Sequence, residues 1–327
     1  MADVRKAYGH LGHSPRETLD TRRKYIAVVL LSALIVAFES VAIEAAINIA
    51  ELSLLIVSAV PSIIGGTILM CIRPGRTVSF GKGLGRKGWA FMALLCAFVA
   101  GGVLMWFDAI SRIGASKEAI LGGGSSEVLF IVLLSAVFLS ERLSKWEAVG
   151  SFLVLAGVFL VLANAGSLSF SVGLGEAEAI LSSLLLAISV VMTTMLLKSK
   201  ELTPLSGVEL FLSGAILLVV GIATGLIEPP SMDGLLVLLG LGLIPSAGLL
   251  TYNAGLPKIG ASLTSVLFAL TGIMTVGAQL LVLLFFPGAD IKLPQNIALA
   301  LLGGAVAFAG VYLLNRPSHA DNAGEER

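Results

Sequence analysis

The amino-acid sequence predicts an all-α integral membrane protein whose ten transmembrane helices form two inverted five-helix repeats. Three observations carry this expectation. Of 327 residues, 57% are hydrophobic and only 13% are charged, against roughly 25% charged in a soluble globular domain. Apolar runs of about 20 residues, enough to cross a ~30 Å hydrocarbon core, recur along nearly the whole chain. Short sequences in the first half also return in the second. A membrane β-barrel would show ~10-residue alternating segments instead.

The runs cover 25–46, 51–72, 88–111, 117–140, 145–164, 177–197, 204–226, 234–256, 260–286 and 295–315. They imply an N-terminal tail (1–24), a first five-span unit (25–164), a second (165–315) and a C-terminal tail (316–327). The first 24 residues are too polar for a signal-peptide core, so the first span is expected to direct insertion. All but three of the 21 Lys and Arg residues fall in the tails or in alternate connectors. The exceptions are Arg112, Lys117 and Lys292. By the positive-inside rule, both termini are expected on the cytoplasmic side of the plasma membrane.

In the first span Ser32, Ile35, Val36, Glu39, Ala42 and Ala46 share one helical face, with Glu39 slightly past the middle. Pro61 can kink the second span and free carbonyls. The connector "GKGLGRKG" (81–88) lacks the Gly-Lys-Ser/Thr ending of a phosphate-binding loop, and no strand precedes it. It reads as a flexible basic linker. Cys71 and Cys96, in or beside apolar segments, read as reduced thiols. Trp89 and Trp146 read as interfacial anchors, and Trp106, deeper, as an anchor or as cavity lining. Glu44, Glu51, Asp108, Arg112, Lys117 and Glu118 gather at the outer span ends as a solvated rim or vestibule. Asp108 and Arg112 are one turn apart and can pair.

The fourth span contains "ILGGGSSEVLF" (120–130), where poor helix formers meet an acid. Glu127 lies ~15 Å along this span, near mid-membrane. A charged residue there costs roughly 2.5–3.5 kcal/mol, so Glu127 and Glu39 should face a watery cavity or hold a proton. The Gly-Ser run allows close helix approach or local unwinding that exposes carbonyls to a cavity. In the second half, Glu209, Tyr252, Asn253 and Gln279 are the polar candidates, and Pro245 can break or kink the eighth span.

"RIGAS" (112–116) returns as "KIGAS" (258–262), and "LAGVFLVLAN" (155–164) as "FAGVYLLN" (308–315). The second copy needs seven more residues between the two, which the "FFPGADIKLP" connector supplies. An odd number of spans per half inverts the repeat, an architecture of secondary transporters with a midplane site.

"SSEVLFIVLLSAVFLSERLSKWEAVGSFLVLAGVFLVLAN" (125–164) resembles the signature half of the drug/metabolite transporter superfamily, EamA-like branch. Ser140-Glu141-Arg142-Leu143 stands at the end of the fourth span, and Gly150 and Gly157 supply the small residues of the fifth. The chain departs from the family at Val128, where Pro is frequent, and at Pro287, which aligns with Glu141. The resemblance implies a ten-helix carrier that exports amino acids, related metabolites or drugs.

An enzyme is not indicated: His10, His13 and His319 lie in the tails and no span carries a paired Asp motif. The expectation is therefore a secondary transporter with no metal, cofactor or nucleic acid. Its partners are a small-molecule substrate and the lipid bilayer, with proton coupling an option and a monomer or homodimer equally compatible. Mid-span carboxylates favour a neutral, zwitterionic or cationic cargo; a nucleotide-sugar or sugar-phosphate antiporter, or a channel, are the alternatives. The candidate site residues are Glu39, Glu127, Gly123, Gly124, Ser126, Trp106, Gln279 and Asn253.

Overall fold

The computed structural model describes residues 19–139, 145–162, 173–197, 201–259, 261–294 and 296–314. The span-end motif at Ser140-Glu141-Arg142-Leu143, most of both tails and the basic pair Lys198 and Lys200 lie outside the described residues. Every regular element among the described residues is helical. They are α1 (Leu19–Asn48), α2 (Leu54–Ile72), α3 (Pro74–Ile113), α4 (Ala115–Leu121), a π-helical turn (Gly122–Ser126), α5 (Glu127–Leu139), α6 (Lys145–Leu162), α7 (Leu174–Leu197), α8 (Leu202–Thr224), α9 (Met232–Leu241), α10 (Ile244–Ile259), α11 (Ala261–Phe268), α12 (Thr271–Phe285) and α13 (Ile297–Leu314).

Among the described residues, six stretches are long and apolar enough to cross a membrane: Arg23–Asn48, Leu54–Ile72, Pro74–Ile113, Leu174–Leu196, Leu202–Thr224 and Met232–Ile259. Val149–Val158, Thr271–Phe285 and Ile297–Leu313 are shorter apolar helices. Large apolar side chains such as Val137, Phe152, Ile222 and Phe285 point outward, as lipid-facing residues do. The chain is a multi-pass helical membrane protein.

Three apolar runs expected as continuous spans are interrupted. The fourth passes through the π turn. The eighth breaks at Gly242-Leu243 and the ninth at Ala269-Leu270. Pro245 falls in the first turn of α10, directly after the break at Gly242-Leu243, where a missing N–H costs nothing, so the eighth span is broken beside it. Pro61 sits inside α2, which continues past it. The basic linker is also not a loop. It is helical, and it turns a corner at Gly85 (φ 62°, ψ 178°), a backbone conformation open to glycine. Across that corner Trp89 Nε1 donates to Gly81 O at 3.0 Å. Both cysteines are free, Cys71 exposed and Cys96 buried.

The closest-packed helix pairs are α6 with α13, α2 with α8, α3 with α7 and α1 with α10. Glycines let two of these pairs approach backbone to backbone. A Cβ on Gly157 would collide with Gly303 O and Ala307 N, and one on Gly310 with Gly150 O and Val154 N. Likewise Gly66 lies against Gly207 O and Phe211 N, and Gly214 against Ala59 O and Ile63 N.

Candidate functional site

These helices enclose a central cavity of about 180 Å³, well above the ~10–15 Å³ that one water needs. Four carboxylates line it: Glu39 from α1, Glu118 from α4, Glu127 from α5 and Glu209 from α8. No Lys or Arg is among the lining residues. Trp106, Phe107, Tyr252 and Phe268 supply aromatic wall. They form two edge-to-face pairs, Trp106–Phe107 at 5.0 Å and Tyr252–Phe268 at 4.9 Å between ring centroids.

The cavity is rich in acceptors and poor in donors. Ser40, Ser62, Ser182, Ser189 and Thr271 line it, yet each hydroxyl donates its proton to a carbonyl in its own chain segment: Val36, Ser58, Ala179, Leu186 and Phe268 respectively. Asn253 donates to Ser206 Oγ at 3.0 Å, and the Trp106 indole N–H to Glu118 Oε2 at 2.7 Å. Thr193 Oγ1 lies 3.4 Å from Glu209 Oε2. Glu39 and Glu127 receive no hydrogen bond among the described residues.

The glycine-serine run explains how two acids of one span reach this cavity. Glu118 and Glu127 are nine residues apart, about two and a half turns of an α-helix, which would aim them at opposite faces. The π turn between them winds more slowly and brings both onto the wall. Its members divide the work. A Cβ at Gly122 would collide with the Glu118 carboxylate. One at Gly124 would lie 2.7 Å from Ala119 O and 3.1 Å from Ala269 O, at the break of the ninth span. Gly123 faces the cavity, and a Cβ there would meet only Glu127 Oε2, at 3.9 Å. Ser125 Oγ donates to Ile120 O and Leu121 O, satisfying carbonyls beside the turn.

A different arrangement occupies the end of the bundle that carries Gly114. Glu44, fully buried in α1, accepts from Gln279 Nε2 (2.6 Å) and Ala115 N (3.1 Å) on Oε2, and from Lys292 N (2.7 Å) on Oε1. Gly114 has φ 85°, and a Cβ there would strike Lys292 O. Lys117 pairs with Glu176 at 2.5 Å, and Arg112 bridges Asp108 and Glu178 at 3.0 Å apiece. At the opposite end Arg76 pairs with Glu201 at 2.9 Å, both more than half exposed.

Of the residues singled out in the sequence, Glu39, Glu127, Gly123, Trp106, Asn253, Glu209 and Tyr252 line the cavity. Gly124 and Ser126 are buried beside it but off its lining, and Gln279 belongs to the Glu44 knot. Trp106 is no interfacial anchor. Glu44 and Glu118, read as solvated rim, are both buried. Glu118 was illegible as a wall residue because the π turn sets its direction, whereas Glu209 was among the polar candidates of the second half.

The family model described as the EamA-like transporter family matches residues 23–163. This segment is similar to the EamA-like transporters. It contains Glu39, Glu118 and Glu127 and the π turn, so most of the cavity's acids come from the EamA-matched half. No curated protein matches the chain. A solved crystal structure is similar with a TM-score of 0.61 at 18% identity, over 89% of this chain and 96% of that one. At that identity the likeness speaks for the fold alone.

Proposed function

We propose that this EamA-like protein is a secondary transporter that exports a small metabolite or drug by alternating access, and that its preferred cargo carries an ammonium or similar cationic group. One observation carries the reading. The cavity offers four carboxylates and serine and threonine hydroxyls whose protons are already used, with no cationic side chain. Four carboxylates without a cationic partner within a membrane would cost roughly 10–14 kcal/mol if all were ionised. A cationic cargo or bound protons supply the missing positive charge, and the aromatic wall adds cation–π attraction. A zwitterion fits less well, because its carboxylate would find no cation. A sugar phosphate fits least, since its oxyanions need Arg or Lys.

The helix contacts support the inverted ten-span plan. Exchanging the two halves turns the α3–α7 contact into α10–α1, and maps α2–α8 and α6–α13 onto themselves. The glycine contacts obey the same exchange. Gly66, Ala59 and Ile63 correspond to Gly214, Gly207 and Phe211 at a constant offset of 148. Gly157, Gly150 and Val154 correspond to Gly310, Gly303 and Ala307 at 153. The Lys/Arg bias supports a reading in which the Gly114 end faces outside. Thus Gly288→Cys should react with an impermeant maleimide added to intact cells, and Gly75→Cys should not.

Purified protein in liposomes tests the transport reading. Saturable counterflow should appear with amines and basic or neutral amino acids, and an inward proton gradient should drive amine efflux. Exclusive exchange of phosphorylated sugars would favour the antiporter alternative, and non-saturable leak would mark a channel.

A further inference from the structure

The short helix α4 stands out from the rest of the bundle. It spans seven residues, Ala115–Leu121, between two glycine joints: Gly114 at φ 85° and the π turn at Gly122–Ser126. Its first N–H is held by Glu44, and its Lys117 by Glu176. Its Glu118 reaches the central cavity, where Trp106 holds it. One rigid piece therefore touches both the closed end of the bundle and the cargo chamber.

The ties at the Gly114 end cross from one half of the chain to the other. Glu44 and Ala115 belong to the first half, Gln279 and Lys292 to the second; Lys117 and Arg112 reach Glu176 and Glu178. Behind them lies an apolar plug that includes Ala115, Ile43, Phe107 and Leu238. At the other end the described cross-half ion pair is Arg76–Glu201, exposed on both sides. Unused hydrogen-bonding groups surround the Glu44 knot. Ser116 Oγ, Gln279 Oε1 and Asn48 Nδ2 are buried without a partner. Ser116 adjoins Ala115, Gln279 donates to Glu44, and Asn48 is one turn beyond Glu44 on α1. Buried polar groups are normally paired, so these three groups hold hydrogen-bonding capacity that a second arrangement could use.

We propose that α4 is the gate on the Gly114 side, with Glu44 as its latch and Glu118 as its cargo-facing end. The proposal rests on the transport reading for the use of the gate, but not for its geometry. A cation arriving at Glu118 competes with the Trp106 N–H and frees the inner end of α4. Rotation about Gly114 and the π turn then withdraws Ala115 from Glu44 and opens the cavity on that side. Closure restores the three N–H contacts to Glu44.

Thiol accessibility tests the gate without knowledge of the cargo. Gly123→Cys, in a Cys71→Ser, Cys96→Ala background, puts a reporter on the cavity wall where added atoms meet no backbone. Its labelling by an impermeant maleimide is measured from each side of oriented vesicles. Glu44→Gln puts an amide where three N–H groups need an anion. It should raise the rate from the Gly114 side roughly ten-fold, as expected for weakening one charge-assisted knot in a two-state equilibrium. Lys117→Gln, a milder change at a partly exposed site, should act in the same direction and covers the case in which Glu44→Gln fails to fold. Unchanged Gly114-side rates in the folded variants, with labelling from the other side intact, would overturn the gate and leave the cavity reading standing. No labelling from either side would remove both.

Discussion

Glu44 and Glu127 are both buried carboxylates of the first half, yet they differ in what meets their oxygens. Glu44 accepts three N–H groups from three separate segments, while Glu127 accepts none among the described residues and faces an open chamber. The same division runs through the other acids. Glu176, Glu178 and Asp108 have cationic partners at the Gly114 end. Glu39 has none, Glu209 only a distant threonine hydroxyl, and Glu118 a single indole N–H. A buried charge whose lone pairs are filled is held by the fold and holds it in return. One left with empty lone pairs beside a cavity is a cost that folding does not recover, and it calls for a ligand or a proton. Residue type and burial do not distinguish the two classes; the partners do.

The sharpest way to break this contrast is to neutralise a cavity acid. Glu127→Gln and Glu39→Gln keep size and hydrogen-bonding capacity, so the thermal midpoint of purified protein should stay near wild type. Proton-driven amine efflux in liposomes should fall to the level of protein-free vesicles. Cargo-for-cargo exchange at equal pH needs no net proton movement and can survive. Wild-type proton-driven flux in both variants would reduce these acids to packing residues.

Glu44 should behave in the opposite way. Glu44→Ala leaves three buried N–H donors without an acceptor, at roughly 1–3 kcal/mol each, so a loss of about 3 kcal/mol or more is expected. Thermal unfolding in detergent would register it as a clearly lowered midpoint and poor yield. A midpoint equal to wild type would mean that the knot contributes nothing, and the division between structural and functional acids would fail at its clearest member.

How much of this was legible in the sequence follows from which signals are local. The ten apolar runs and the reduced cysteines rest on composition and length. The repeat we propose draws on Gly157 and Gly310, and the seven extra residues of the "FFPGADIKLP" connector match the difference between the 146-residue offset of the RIGAS/KIGAS pair and the 153 of the last helix. Glu39 and Glu127 were legible because an acid in an apolar run is conspicuous. Glu118 was not. Its direction depends on a π turn, and neither periodicity nor charge count announces one. Glu44 was misread because three of its partners are backbone or distant side chains, up to 248 positions away. Gln279, a polar residue in an apolar span, lies off the cavity lining and donates to the Glu44 carboxylate.

Trp106→Phe is a smaller and more selective change. The ring stays and its edge contact with Phe107 can persist, but the N–H to Glu118 is lost. One hydrogen bond to a carboxylate is worth about 1.5–3 kcal/mol at most, and the chamber offers water as a substitute. Stability should therefore move little. Half-saturation for an amine should shift several-fold, since Glu118 is then oriented by cargo alone. A lowered thermal midpoint with unchanged half-saturation would assign Trp106 to packing and Glu118 to the structural class.

The smallest expected effect concerns the middle glycine of the π turn, and its value lies in the contrast with its neighbours. Gly124→Ala would press a methyl to 2.7 Å from Ala119 O and 3.1 Å from Ala269 O, both backbone atoms that cannot move aside cheaply, and overpacking of this kind costs about 1–3 kcal/mol. Gly123→Ala meets only Glu127 Oε2, at 3.9 Å, an ordinary contact distance. Alanine also restricts the unfolded chain more than glycine, a gain of about 0.4–1 kcal/mol where the backbone conformation suits it. The net change in stability should lie within ~0.5 kcal/mol of zero. The methyl nevertheless enters the chamber beside Glu127, so bulky amines should lose more transport than small ones. Measuring flux for a size series of amines against the thermal midpoint separates the two effects. A large loss of stability in Gly123→Ala would mean that position 123 packs against protein, and the chamber wall beside Glu127 would have to be redrawn.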